Sequence, residues 1–317
     1  MFELIIRRIL TAIPTLILVS MMIFGLQKML PGDPITALAG ESPDPQVIAY
    51  LQHQYHLDLP IPQQYVYWVR DVLHGDLGQS LRTGVPVRTL IAQKLPITIQ
   101  LAIMAVIIAV VIGIPMGILS AANKGKALDH GANVFALTGM SIPNFWFGIL
   151  LILLVSVRWH LLPSSGYVSP SEDFWLSLKT MLMPAFVLGT GLGAQLMRHT
   201  RSAMLGVLRA DYIRTARAKG LKRFTVVVKH GFRNALGPVI TVLTLLFGEL
   251  LAGAVLTEQV FSIPGFGKLI VDSVFNRDYA VVQGVVLCTA MAFVVMNLLA
   301  DVLYVSASPR LRNQTEG

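Results

Sequence analysis

The residues able to do chemistry are few, and their spacing excludes more than it supports. A phosphate cradle needs Gly-x-x-x-x-Gly-Lys followed by a hydroxyl, yet Gly125-Lys126 runs into Ala127 and Gly267-Lys268 into Leu269. ATP hydrolysis by this chain alone is therefore not expected. Gly189-Thr190-Gly191-Leu192-Gly193-Ala194 fits the loose pattern of a dinucleotide loop, but no strand precedes it and it lies inside an apolar run. Small residues that let two helices approach closely are the better reading, with Gly113 and Gly117 as counterparts. His53 and His56 stand three apart with no third ligand nearby, so no metal site is expected. The single Cys288, also in an apolar run, forms no thiolate cluster. Two acids fall inside long apolar runs. Glu249 sits where an ionised carboxylate costs several kcal/mol unless it is paired, hydrated or protonated, which makes it a candidate for function or for a polar contact with a neighbouring subunit. Asp301 lies near the end of its run, within reach of the interface or of a base such as Arg310.

The elements that must position these residues are membrane helices. Of 317 residues, 54% are apolar and 13% charged, against about 25% charged in a soluble domain. The mean hydropathy is +0.66. Six stretches reach the length of about 18 to 20 residues that a bilayer core demands: 9–26, 95–122, 131–157, 180–197, 235–257 and 279–304. Four hold no charged residue, and the last two hold one acid each. Several exceed the bilayer thickness, so their ends project or tilt. The first span follows Arg7 and Arg8 and shows no small-residue cleavage site before Pro31, so it reads as an uncleaved anchor. Six spans put both termini on one side. That side carries sixteen of the 25 Lys and Arg residues, so the positive-inside rule places both termini in the cytoplasm. The net charge of +8 is thus an orientation signal and calls for no nucleic-acid partner.

The chain divides into 1–94, an anchor helix with an external segment, and 95–317, a five-helix core. The external segment breaks at Pro31-Gly32-Asp33-Pro34, Pro43-Asp44-Pro45 and Pro60-Ile61-Pro62 and is expected to pack on the outer ends of the spans, as a gate or docking surface. Loop 198–233 holds ten of the sixteen cytoplasmic basic residues. Within it, Asp211-Tyr212-Ile213-Arg214-Thr215-Ala216-Arg217-Ala218-Lys219-Gly220 reads as a complete short helix, with Asp211 as N-cap, Arg217 and Lys219 at the negative end and Gly220 as the left-handed stop. So short a helix is marginal in water and needs something to pack against. Alanines between arginines suit a groove on a soluble partner with acids at its rim.

This loop resembles the EAA coupling motif of ABC importer permeases, in the form used by the dipeptide and oligopeptide class. The similarity extends over nearly the whole chain: Leu30-Pro31-Gly32-Asp33-Pro34, Gly75-Asp76-Leu77-Gly78-Gln79-Ser80, Ser141-Ile142-Pro143-Asn144-Phe145-Trp146, His230-Gly231-Phe232-Arg233-Asn234-Ala235-Leu236 with Pro238, Pro264-Gly265-Phe266-Gly267 and Asn276-Arg277-Asp278-Tyr279 all look like that family, in order. The motif's leading Glu-Ala-Ala is here Thr215-Ala216-Arg217, so its Glu has no counterpart. The resemblance implies an all-α integral membrane protein with the type I importer permease fold, in a bacterial inner membrane. It implies a second, similar permease as heterodimer partner, two cytoplasmic ATP-binding subunits that hold ATP and Mg, and an external solute-binding protein; this chain would hold no cofactor and would not be an enzyme. Residues 211–220 would couple to the ATPase, with Ala216, Arg217 and Gly220 foremost. Asn144, Trp146 and Glu249 could line the path. Dipeptides, longer peptides, glutathione and nickel chelates are all possible cargoes for the class, with peptide the leading expectation. The rival from another class is a stand-alone proton-coupled carrier or channel titrating at Glu249, against which the sparse charge along the spans argues.

Overall fold

The computed structural model describes residues 2–29, 45–54 and 57–307. Pro31-Gly32-Asp33-Pro34, His56, Arg310 and Arg312 lie outside them. Among the described residues the chain is helical. The first long helix, α1 (Phe2–Met29), is followed by α2 (Pro45–Gln54) and α3 (Ile61–Leu73) and then by α4 (Val87–Ala122). Next come α5 (Ala127–Ser141) and α6 (Asn144–Leu151), the latter running on through wider turns over Ile152–Arg158, and α7 (Phe174–Val207). A short α8 (Asp211–Ala218) precedes wide turns over Thr225–Phe232, which lead into α9 (Arg233–Gly253). Two short helices, α10 (Val255–Val260) and α11 (Phe266–Phe275), precede α12 (Tyr279–Ala307). Five of these helical segments are long and apolar enough to cross a membrane, and a sixth span forms if α5 and α6 count as one.

That sixth span is not the straight helix expected over 131–157. It bends by 97° at Ile142-Pro143. Pro143 has no N–H to donate and forces the residue before it out of helical geometry, and Ile142 sits at φ −79°, ψ 122°. The fifth span is shifted from 235–257: it runs from the wide turns at Thr225, α9 closes at Gly253, and Thr257 and Glu258 belong to α10. Conversely, α4 and α7 outrun their predicted limits, at about 54 and 51 Å from a rise of about 1.5 Å per residue. Arg88 and Lys94 end the apolar stretch in α4, yet backbone hydrogen bonding carries the helix back to Val87.

Helices α4 and α7 form the central pair. Leu101, Ala105 and Ala109 of α4 interdigitate with Met181, Leu188, Leu192 and Leu196 of α7, and Val239, Leu246 and Leu250 of α9 close the cluster. The glycines set the spacing. A Cβ on Gly113 would lie 2.6 Å from the Gly193 carbonyl oxygen, and one on Gly117 2.6 Å from Thr200 Cβ. Close backbone approach is thus built in, as the small residues anticipated. Helix α1 stands to one side against α12, where Arg8 Nε meets Asp301 Oδ2 at 2.7 Å, so among the described residues Asp301 pairs with Arg8.

Three buried carboxylates pin the connections. Asp129 accepts Nε and Nη2 of Arg201 at 2.8 and 3.0 Å, together with the Ser120 hydroxyl, the Gly125 N–H at 2.9 Å and Asn133 Nδ2 at 3.1 Å, joining α4, α5 and α7. Glu258, fully buried, accepts the Thr98 hydroxyl and the Lys268 N–H at 2.8 Å, while Thr98 Oγ1 accepts the Phe266 N–H at 2.8 Å. This clasps α10 and α11 onto α4. Asp278 accepts the Ser80 hydroxyl and the Leu81 N–H at 3.2 Å, so the Gly75–Ser80 and Asn276–Tyr279 motifs meet in space. The described part of the segment between α1 and α4 packs on span ends in this way, and also where Tyr65 and Trp68 of α3 lie beside Phe24 of α1 with ring centroids 5.5 and 5.8 Å away.

Candidate functional site

The loop between α7 and α9 folds as a helix of eight residues, about 12 Å long. Its N-cap is Ala210, at φ −70°, ψ 149°, with no side-chain cap bond. Asp211 is therefore the first helical residue rather than the cap. It still places a carboxylate at the positive end of the helix, 3.7 Å from Arg214 Nη1. Thr215 Oγ1 donates back to the Asp211 carbonyl at 3.2 Å. At the other end Gly220 adopts φ +74°, the left-handed stop, and its N–H bonds the Arg217 carbonyl at 2.9 Å.

The two faces of α8 differ. Ile213 is fully buried and Ala216 is 8% exposed; both pack on Val226 in the wide turns leading into α9 and on Leu208 at the end of α7. Ala216 thus makes its close approach within the chain, not to an outside groove. Asp211, Tyr212, Arg214, Thr215, Arg217, Ala218, Lys219 and Gly220 remain exposed. Arg217 also borders a cavity of about 540 Å³ with Lys124, Arg209 and Arg223. Arg223 reaches the Ala122 carbonyl and, at 2.9 Å, Asn123 Oδ1, tying this end of the loop to the end of α4.

A second site forms at the break between α5 and α6. A cavity of about 300 Å³ there is lined by Asn144, Gln195 and Glu249 among apolar neighbours including Leu188, Leu192 and Leu250. It lies beside the middle of α7, since Leu188, Gly191, Leu192 and Gln195 are central in that helix. Glu249 is only four residues from the end of α9, because α9 stops inside the bundle. Asn144 and Glu249 are thus brought together, whereas Trp146 lines a separate cavity of about 600 Å³ with Pro143 and Phe145. Gln195 did not stand out in the sequence; its one signal is an amide inside an apolar run. His53 meets Asp58 through Nδ1 and Oδ2 at 2.9 Å.

Two family descriptions cover the chain. Residues 113–313 match "Binding-protein-dependent transport system inner membrane component", and residues 1–102 match its N-terminal counterpart. The chain belongs to this family. It is a membrane transport component of an ABC importer, not an enzyme. The dipeptide transport system permease protein DppB of Escherichia coli (strain K12) is 44% identical over 99% of this chain and 100% of its own length. The di/tripeptide transport system permease protein DppB of Pseudomonas aeruginosa (strain UCBPP-PA14) is 41% identical over 99% of this chain and 100% of its own. A putative peptide transport system permease protein of Brucella abortus (strain 2308) is 41% identical over 98% and 99%. Among solved structures, inward-facing conformations of the MetNI methionine ABC transporter share the fold at TM-score 0.57, with 16% identity, covering 70% of this chain and 97% of that one.

Proposed function

We propose that this chain forms one half of the transmembrane path of a small-peptide importer and that α8 receives the stroke of a cytoplasmic ATPase. Full-length similarity to permeases named for dipeptide and di/tripeptide transport supports the cargo class. The observation that carries the coupling role is the way α8 is seated. Its inward face touches both the end of α7 and the turns leading into α9. A push on its exposed face therefore reaches two spans at once, one in the central pair and one bordering the Glu249 cavity. Rigid transmission of this kind rocks packed helices rather than bending them.

In this reading both termini and α8 are cytoplasmic, following the basic residues. The partners are a second, homologous permease, two ATP-binding subunits that hold ATP and Mg, and an external binding protein that delivers the peptide. Asp211, Tyr212, Arg214, Thr215, Arg217, Ala218, Lys219 and Gly220 present the docking surface, while Ile213 and Ala216 fix it to the bundle. The test is reconstitution of the complex in vesicles with its binding protein and a labelled dipeptide. Uptake that requires ATP and collapses in Arg217→Glu, with the chain still inserted, is expected. Uptake without ATP, or unaffected by that change, would refute the proposal.

A further inference from the structure

We infer that the cavity at the α5–α6 break is a transit site for a positively charged group, so that the path itself favours net-cationic cargo over net-anionic cargo. This rests on the proposal that small peptides pass here and adds a charge preference to it. The cavity, of about 300 Å³, lies beside the middle of α7, away from both ends of that span. Glu249 is its only acid, and no Lys, Arg or His lines it. Among the described residues Glu249 makes no hydrogen bond or ion pair, and its side chain is exposed to the cavity rather than packed away.

The rest of the lining suits the same ligand. Gly139 and Met140, in the last turn of α5, border the cavity, and carbonyls in a closing turn carry the negative end of the helix dipole. The start of α6 supplies an opposing positive end, so the two helix ends largely cancel and the carboxylate decides the sign. Asn144 and Gln195 add carboxamide oxygens, which accept from an ammonium group. Gly191 leaves room for Asn144: a Cβ there would lie 3.2 Å from Asn144 Oδ1. An intramembrane carboxylate facing a cavity without a partner in its own chain calls for a partner that visits.

The test uses the whole transporter in vesicles, with its binding protein saturating, and two labelled dipeptides, one bearing Lys and the other Glu. The readout is the ratio of their ATP-driven uptake rates, compared between wild type and Glu249→Gln. That comparison cancels the binding protein's own preference and any change in the amount of folded complex. A fall in the Lys-to-Glu ratio of about tenfold is expected, with Glu249→Asp retaining most of it. An unchanged ratio with active uptake overturns the charge preference and leaves the peptide importer standing. Dissociation of the partner permease in Glu249→Gln also overturns it, assigning the carboxylate to the interface between permeases. Failure of the wild-type complex to import either dipeptide overturns both readings together.

Discussion

The ion pair of Asp129 with Arg201 gives the sharpest energetic prediction. Asp129 has a side chain 4% exposed and Arg201 one 24% exposed, and the carboxylate accepts five hydrogen bonds from four residues. Removing Asp129 leaves the Arg201 cation uncompensated and strips the Ser120 hydroxyl and the Gly125 N–H of their acceptor, whereas removing Arg201 leaves a buried carboxylate without its cation. Breaking such a pair from one side costs about 3–5 kcal/mol, whereas replacing both partners with apolar side chains of similar volume is often close to neutral. Asp129→Leu and Arg201→Met are therefore each expected to lower the thermal midpoint of the detergent-purified complex substantially. Asp129→Leu combined with Arg201→Met is expected to fall by clearly less than the two single losses added together, a coupling of about 1–3 kcal/mol between adjacent sites. The assay is thermal unfolding of the four proteins side by side, with the wild type as reference. Simple addition of the two single losses, or an Asp129→Leu protein as stable as wild type, would refute the reasoning.

Three further outcomes follow from the same geometry. Glu258→Ala removes the acceptor of the Lys268 N–H and of the Thr98 hydroxyl, so hydrogen exchange at Lys268 and Phe266 should quicken by about tenfold to a hundredfold; unchanged exchange would show that the clasp holds nothing. Gly117→Leu forces a side chain into Thr200 and the Met197 carbonyl, 2.6 and 2.8 Å from the new Cβ, and should destabilise the α4–α7 pair by about 1–3 kcal/mol or more. Equal thermal stability in that variant would mean the pair is looser than its spacing indicates. Ala216→Trp cannot fit between Val226 and Leu208, so it should unseat α8 and uncouple ATP hydrolysis from uptake while membrane insertion persists; normal coupled transport would contradict that seating.

Hydropathy located the spans because burial in lipid leaves a signal in every residue of a long run. It was blind to the break in the third span, since residues 131–157 stay apolar on both sides of Pro143 and a missing N–H does not register on a transfer scale. It also passed over Asp129, Glu258 and Asp278, which stand at the borders of apolar runs where a carboxylate is normally taken as solvated. Only tertiary contacts show that each is buried and holds a connection. Gly220 was legible because its φ of +74° is a local demand of the helix stop. Ala216 shares the face of Ile213 three residues before it, but that this face packs on Leu208 and Val226 within the chain, and not in a partner's groove, is set by tertiary contacts. Asn144 and Glu249 came together only through the bend at Pro143 and the early end of α9. Family membership decides against the stand-alone carrier that Glu249 alone had allowed.

Site-directed crosslinking tests the coupling role of α8 most directly. The chain has one cysteine, Cys288, so Cys288→Ser gives a clean background for Thr215→Cys on the exposed face of α8 and Ile213→Cys on its buried face. With the neighbouring genes co-expressed, Thr215→Cys is expected to form an adduct with a co-purifying ATPase that strengthens or weakens with ATP, and Ile213→Cys is expected to form none. A chain that yields no ATPase adduct from any exposed position of α8, yet imports peptide in vesicles, would contradict the assignment of this helix as the coupling element.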